Sequence, residues 1–142
     1  MLFSKRERLI RRILVVEDEP LVAFDNEYLL GDAGYEVVGT VDNLADAARL
    51  IDSEAIDLVL SDIKLRGKGD GFDVARAAAA KNVPVLFVTG NAPAEAQGLA
   101  LGCLAKPYTD RGLKAALESL DARLQGRKMK KLPIGLSLYE QA

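Results

Sequence analysis

The chain has 142 residues, 49% hydrophobic and 28% charged, with a formal net charge of −2. That suits one soluble domain around a single core and gives no global attraction to nucleic acid or an anionic membrane. One cysteine, Cys103, excludes a disulfide framework and a cysteine zinc cluster; the absence of histidine excludes imidazole acid–base chemistry, histidine metal ligands and a histidine phosphodonor.

No apolar stretch approaches the ~20 residues that span a bilayer. The charged start MLFSKRERLIRR is not followed by a signal-type apolar region, so a cytoplasmic protein is expected. Residues 1–11 read as a frayed or short helical lead-in. Arg12-Ile13-Leu14-Val15-Val16 is a β-branched apolar run that predicts a central strand, ending in Glu17-Asp18-Glu19-Pro20. Pro20 suits the first turn of a helix, where its missing N–H is not needed. Leu21, Phe24 and Tyr28 follow at helical spacing, and Gly31 to Gly34 close that helix.

Tyr35–Thr40 predicts a second strand, less uniformly apolar and so nearer an edge. Asn43 is placed to cap a helix on which Leu44, Ala47, Ala48 and Ile51 share one face. Leu58-Val59-Leu60-Ser61-Asp62 then reads as a buried parallel strand that delivers one carboxylate where the apolar run stops. Phe72, Ala75 and Ala79 mark a third helix, and Val83–Val88 a fourth strand ending in Thr89-Gly90-Asn91. Residues 93–101 have room only for a short helix. Cys103-Leu104-Ala105 forms a short fifth strand ending in Lys106-Pro107, and Thr109 caps a final helix with Leu113, Ala116, Leu117, Leu120 and Leu124 on one face.

This alternation predicts an α/β, flavodoxin-like (βα)5 three-layer sandwich with a parallel five-stranded sheet in the order 2-1-3-4-5. Its expected extent is 12–125, with 1–11 as the lead-in and 126–142 as a basic linker and short tail. Leu132, Ile134, Leu136 and Leu138 alternate strictly in that tail. The pattern fits either an extended segment laid on this domain or a neighbouring copy, or a disordered tail interrupted by Pro133 and Gly135.

Ligands of open α/β sheets bind beyond the carboxyl ends of the strands. There this chain places Glu17 and Asp18, then Asp62, then Thr89, then Lys106. A lone strand-end aspartate is usually turn chemistry. Clustered carboxylates, however, repel one another unless a hard cation lies between them, and oxygen ligands of this type suit Mg²⁺. Lys106 and Thr89 add a fixed positive charge and a hydroxyl for phosphoryl oxygens, which leaves Asp62 as the nucleophile of a phosphoryl transfer.

The pattern resembles the receiver domain of two-component response regulators over about residues 12–125. The matching residues are Glu17-Asp18 in ILVVEDEP, Asp62 in LVLSDIKL, Thr89 in LFVTG and Lys106 in LAKPY. The resemblance implies that Asp62 is the phosphoacceptor. It also implies that Asp18, Asp62 and the main-chain carbonyl of Lys64 bind Mg²⁺, with Glu17 acting partly through water, and that the Lys106–Pro107 bond is cis. Lys64 and Asn91 stand where the family tunes hydrolysis of the aspartyl phosphate.

Several positions depart from the family. Glu17 replaces the commoner aspartate, Arg66 stands where proline is frequent, and the loop from Asp62 to Gly71 is a residue longer than usual. The segment from Thr89 to Lys106 is short, so its helix is expected to be truncated or irregular. Cys103 occupies the place of an aromatic residue that swings inward on activation. These traits are similar to an atypical group of bacterial single-domain receivers, some linked to stress signalling.

The expected protein is therefore a phosphoaccepting signalling protein rather than an enzyme. Its expected partners are a histidine kinase or histidine phosphotransferase and an unidentified downstream protein. Contact would run through the face of the short helix, the fifth strand and the final helix, and a homodimer is possible. Neither a DNA-binding domain nor a membrane partner is expected, since the Arg127–Lys131 cluster reads as a solvated linker and only roughly 17 residues follow the last helix. One alternative is a haloacid-dehalogenase-like phosphatase, which needs a second acid two residues beyond its nucleophile, where this chain has Lys64. A pseudo-receiver that keeps the fold without the switch is the other.

Overall fold

Alternate residues of each buried strand face opposite sides of the sheet, so the core divides in two. A computed structural model describes residues 8–91, 93–127 and 131–140. In chain order they form β1 (Arg12–Val16), α1 (Pro20–Asp32), β2 (Glu36–Val41), α2 (Leu44–Ser53), β3 (Leu58–Asp62) and α3 (Gly71–Ala79). There follow β4 (Val85–Thr89), a 3-10 helix (Ala94–Gly98), β5 (Gly102–Ala105), α4 (Asp110–Leu124) and β6 (Leu136–Leu138).

The sheet order is β2-β1-β3-β4-β5-β6, with every pairing parallel except β5 with β6. The flavodoxin-like order 2-1-3-4-5 is present. One detail differs from expectation, and the short fourth helical connection is irregular as expected. The sheet has six strands rather than five, because Leu136–Leu138 pairs antiparallel with β5. The fourth helical connection is a five-residue 3-10 helix, so among the described residues α-helices number four; Pro93 before it and Gly98 at its end leave little room for α-helical turns.

On one face of the sheet Ile13, Val15, Leu58, Leu60 and Leu104 pack against Leu29 and Leu30 of α1 and Leu113, Leu117 and Leu120 of α4. On the other, Leu14, Val16, Val59, Val85, Phe87 and Cys103 pack against Ala47 and Ile51 of α2 and Val74, Ala75 and Ala78 of α3. Asn43 caps α2, accepting from the Asp46 N–H at 2.8 Å, and Thr109 caps α4 by accepting from Gly112. Such caps each contribute about 1 kcal/mol. The helix after the Asp62 loop starts with a capping box that the spacing had not suggested, Asp70 and Asp73 each accepting the other's backbone N–H.

The helical spacing of Leu21, Phe24 and Tyr28 marks the outer face of α1: they are 79%, 66% and 71% exposed, whereas Ala23, Asn26, Leu29 and Leu30 are buried. The helix therefore carries an apolar stripe on its outside. The lead-in is docked over its described part. Ile10 is fully buried, and the buried Asp121 carboxylate accepts the N–H groups of Leu9 and Ile10. Residues 1–7, and Lys128 to Lys130 of the basic linker, lie outside the described residues. No helix among the described residues is long and apolar enough to cross a membrane.

Candidate functional site

Parallel strands with right-handed crossovers all end at one edge, so the last residues of β1, β3, β4 and β5 converge without any sequence proximity. Asp18, Asp62, Lys64, Thr89, Asn91 and Lys106 line one cleft there, with Glu19, Ile63, Gly90 and Pro93. Glu17 is buried beneath it, 3% exposed.

Lys106 organises the floor. Its Nζ donates to Asp62 Oδ2 at 2.8 Å and to Glu17 Oε1 at 3.2 Å. The remaining oxygens are also engaged: Asp62 Oδ1 accepts the Ile63 N–H at 2.7 Å, and Glu17 Oε2 accepts the Glu19 N–H at 3.1 Å where α1 begins. Burial lowers the affinity of Lys106 for its proton, but its two carboxylate partners outweigh this and raise its pKa above the usual 10.5. Burial raises the pKa of the Glu17 carboxyl above 4.5, against the opposing pull of the Glu19 N–H and Lys106.

Oxygens of Glu17, Asp18 and Asp62 lie within 4.8 Å of one another. Three hard anionic ligands at a cleft that Lys64 also lines are a donor set that fits Mg²⁺, and one ammonium does not neutralise three carboxylates. Thr89 is beside this cluster but does not yet serve it. Its hydroxyl donates to the Asn91 carbonyl at 3.4 Å and accepts the Asn91 N–H at 3.3 Å, contacts long enough to be exchanged readily.

The Lys106–Pro107 peptide bond is cis. It lies where β5 leaves the sheet, and the Lys106 N–H donates to the Thr89 carbonyl at 2.9 Å. Gly71 closes the opposite wall. Its N–H donates to Ile63 O at 2.6 Å, and a Cβ on it would meet the Asp62 carbonyl oxygen and the Ile63 Cα. Gly71 and Pro93 were not singled out as site residues; their turn character alone gave no reason to place them against Asp62.

The response regulator receiver domain model matches residues 13–118. The chain belongs to that family. Among relatives of this receiver, the transcriptional regulatory protein PdtaR of Mycobacterium tuberculosis is 31% identical over 121 residues, 81% of this chain; the chain spans only 58% of PdtaR. The solution structure of SdrG from Sphingomonas melonis Fr1 is 35% identical with a TM-score of 0.68, covering 80% of this chain and 98% of that one. The receiver domain of the sensor histidine kinase PA1611 from Pseudomonas aeruginosa PAO1 has a TM-score of 0.69 at 28% identity, covering 78% of this receiver and 96% of that domain. Its crystal structure has a magnesium ion coordinated in the active site cleft.

Proposed function

We propose that this receiver accepts a phosphoryl group on Asp62 from a phosphohistidine of a histidine kinase or phosphotransfer protein. The observation that carries this reading is the meeting of Asp62 with Lys106, 2.8 Å apart, beside two further carboxylates in an open cleft. An Asp62 oxygen attacks phosphorus, the P–O bond forms as the P–N bond breaks, and the imidazole leaves with the bonding pair and takes up a proton. Lys106 follows the developing charge, moving from the carboxylate it now holds to a phosphoryl oxygen. Thr89 releases Asn91 and donates its hydroxyl to another. Asp18, Asp62 and the Lys64 carbonyl, with Glu17 behind them, would hold Mg²⁺, which when bound supplies charge neutralisation for the transferring oxygens.

The exposed Leu21, Phe24 and Tyr28 stripe supports a partner on α1, because that helix starts at the acidic edge and nothing among the described residues covers these side chains. The phosphodonor is the partner that must come to this edge. Output then passes by protein contact, directly or as a relay or phosphate sink, in the bacterial cytoplasm.

The test is phosphotransfer from purified histidine kinases and from acetyl phosphate, with Asp62→Asn as control. Magnesium-dependent labelling of the parent alone supports the reading; equal labelling of the variant removes Asp62 as the acceptor.

A further inference from the structure

Asn26 is a polar side chain at a core-facing position of α1. It is 4% exposed, on the side of the helix that also buries Ala23, Leu29 and Leu30. Burying an amide is costly unless it is hydrogen-bonded, and only half of this one is. Its Oδ1 accepts the Tyr108 hydroxyl at 2.9 Å, across 82 positions of sequence, while its Nδ2 has no partner among the described residues. The Tyr108 ring packs against the apolar cluster that holds Leu29 and Leu30. A leucine at 26 would join that cluster without an unpaired group, so packing alone does not account for the asparagine.

The bond joins the two segments that hold the floor of the acidic cleft. Only Lys106, Pro107 and Tyr108 cross from the end of β5 to Thr109, the cap of α4. Within that crossing the Lys106 N–H is tied to the Thr89 carbonyl, Pro107 has no N–H to give, and the Tyr108 hydroxyl makes the tie to α1. At the other end the Glu19 N–H, where α1 begins, donates to Glu17 Oε2, and Glu17 Oε1 accepts from Lys106. A closed circuit results: Lys106 to Glu17, to the start of α1, along the helix to Asn26, across to Tyr108 and back through Pro107. It fixes the backbone under Lys106 and leaves the flexible side chain free to swing from Asp62 to another oxygen.

We propose that Asn26 and Tyr108 are positioning residues of this site: their hydrogen bond holds the turn below Lys106 against α1 and so sets where the ammonium stands in the cleft. The hold on Lys106 follows from the circuit; its effect on phosphoryl transfer rests on the reading of Asp62 as phosphoacceptor. In that transfer the ammonium must meet a phosphoryl oxygen as the bond to Asp62 forms, and a misplaced donor stabilises the developing charge poorly. The expected defect therefore lies in the rate of the chemical step and not in the binding of magnesium.

Tyr108→Phe and Asn26→Leu each leave one buried partner unpaired, whereas the double variant removes both polar groups together. Thermal unfolding is expected to show the single variants less stable than the parent and the double variant close to it. Labelling at saturating acetyl phosphate is expected to fall about fivefold in all three, because one bond can be lost only once. The magnesium concentration that gives half the maximal rate should stay unchanged. The NMR signal of the Lys106 ammonium, assigned with Lys106→Met and recorded without magnesium or donor, is expected to shift in all three.

A double variant that recovers labelling along with stability assigns the bond to folding alone and overturns the positioning role. A Lys106 signal unmoved in the double variant overturns it too, as do single losses that multiply there. If the single variants do not fold, the double variant decides through its labelling rate and its Lys106 signal. A parent that takes no label, with a Lys106 signal that still shifts in the variants, sinks the phosphoacceptor reading and leaves the hold on Lys106 standing.

Discussion

Lys106 Nζ lies 2.8 Å from Asp62 Oδ2, although they are 44 positions apart, Asp62 ending β3 and Lys106 following β5. The same ammonium reaches Glu17, which makes one cation the common partner of two acids in a largely buried floor. Removing it leaves both carboxylates uncompensated. Lys106→Met is expected to lower stability by about 1–3 kcal/mol in the presence of a chelator. Magnesium should narrow the gap between variant and parent, since a bound dication replaces the missing charge and stabilises the folded state by mass action. Urea denaturation of both proteins with EDTA and with magnesium measures this, and a gap indifferent to magnesium contradicts cation binding at the cluster.

The outer face of α1 allows docking to be separated from chemistry. Phe24→Ser and Tyr28→Ser remove exposed apolar area and leave the buried Ala23, Asn26, Leu29 and Leu30 untouched. Stability should change by no more than about 0.5 kcal/mol. Phosphotransfer from a cognate kinase is expected to fall by about tenfold or more, a loss of roughly 1.4 kcal/mol, with labelling by acetyl phosphate unchanged. Equal losses with both donors would place the defect in the site rather than at the docking face.

Gly71 is the wall against which the Asp62 backbone rests. In Gly71→Ala the new methyl meets the Asp62 carbonyl oxygen and Ile63 Cα, main-chain atoms that cannot swing aside. The expected cost is about 1–3 kcal/mol despite the better helix propensity of alanine. Because the displaced backbone carries Asp62, acetyl phosphate labelling should fall as well. Thermal unfolding and labelling rates on the same samples check both effects.

Burial holds the hydroxyls of Tyr35, Tyr108 and Tyr139 above their ordinary pKa of 10.0. The folded protein therefore keeps these protons after the unfolded chain has begun to lose them. Their contribution to stability is complete below pH 10 and is lost as pH rises through the folded values. Melting temperatures measured upward from pH 9 should fall beyond 10, and Tyr35→Phe should flatten the decline.

Strand and helix order was legible because buried parallel strands and amphipathic helices leave different periods in a sequence, and Pro20, Asn43 and Thr109 mark helix starts through local backbone chemistry. The strand-end positions of Glu17, Asp18, Asp62, Thr89 and Lys106 followed from topology alone. Periodicity does not say which side of a helix faces inward when both sides are apolar. Leu21, Phe24 and Tyr28 are larger than Ala23, yet it is the alanine side of α1 that fits close to the sheet.

Other features depended on contacts between distant parts of the chain. The Lys106 bridge, the wall at Gly71, the capture of residues 9 and 10 by Asp121 and the Tyr139 cover on Cys103 have no local signature. The alternation at 132–138 was compatible with a free tail or a docked strand. Only the tertiary structure decided between them, because a three-residue strand has too little intrinsic preference to form alone and takes its order from the β5 edge it covers.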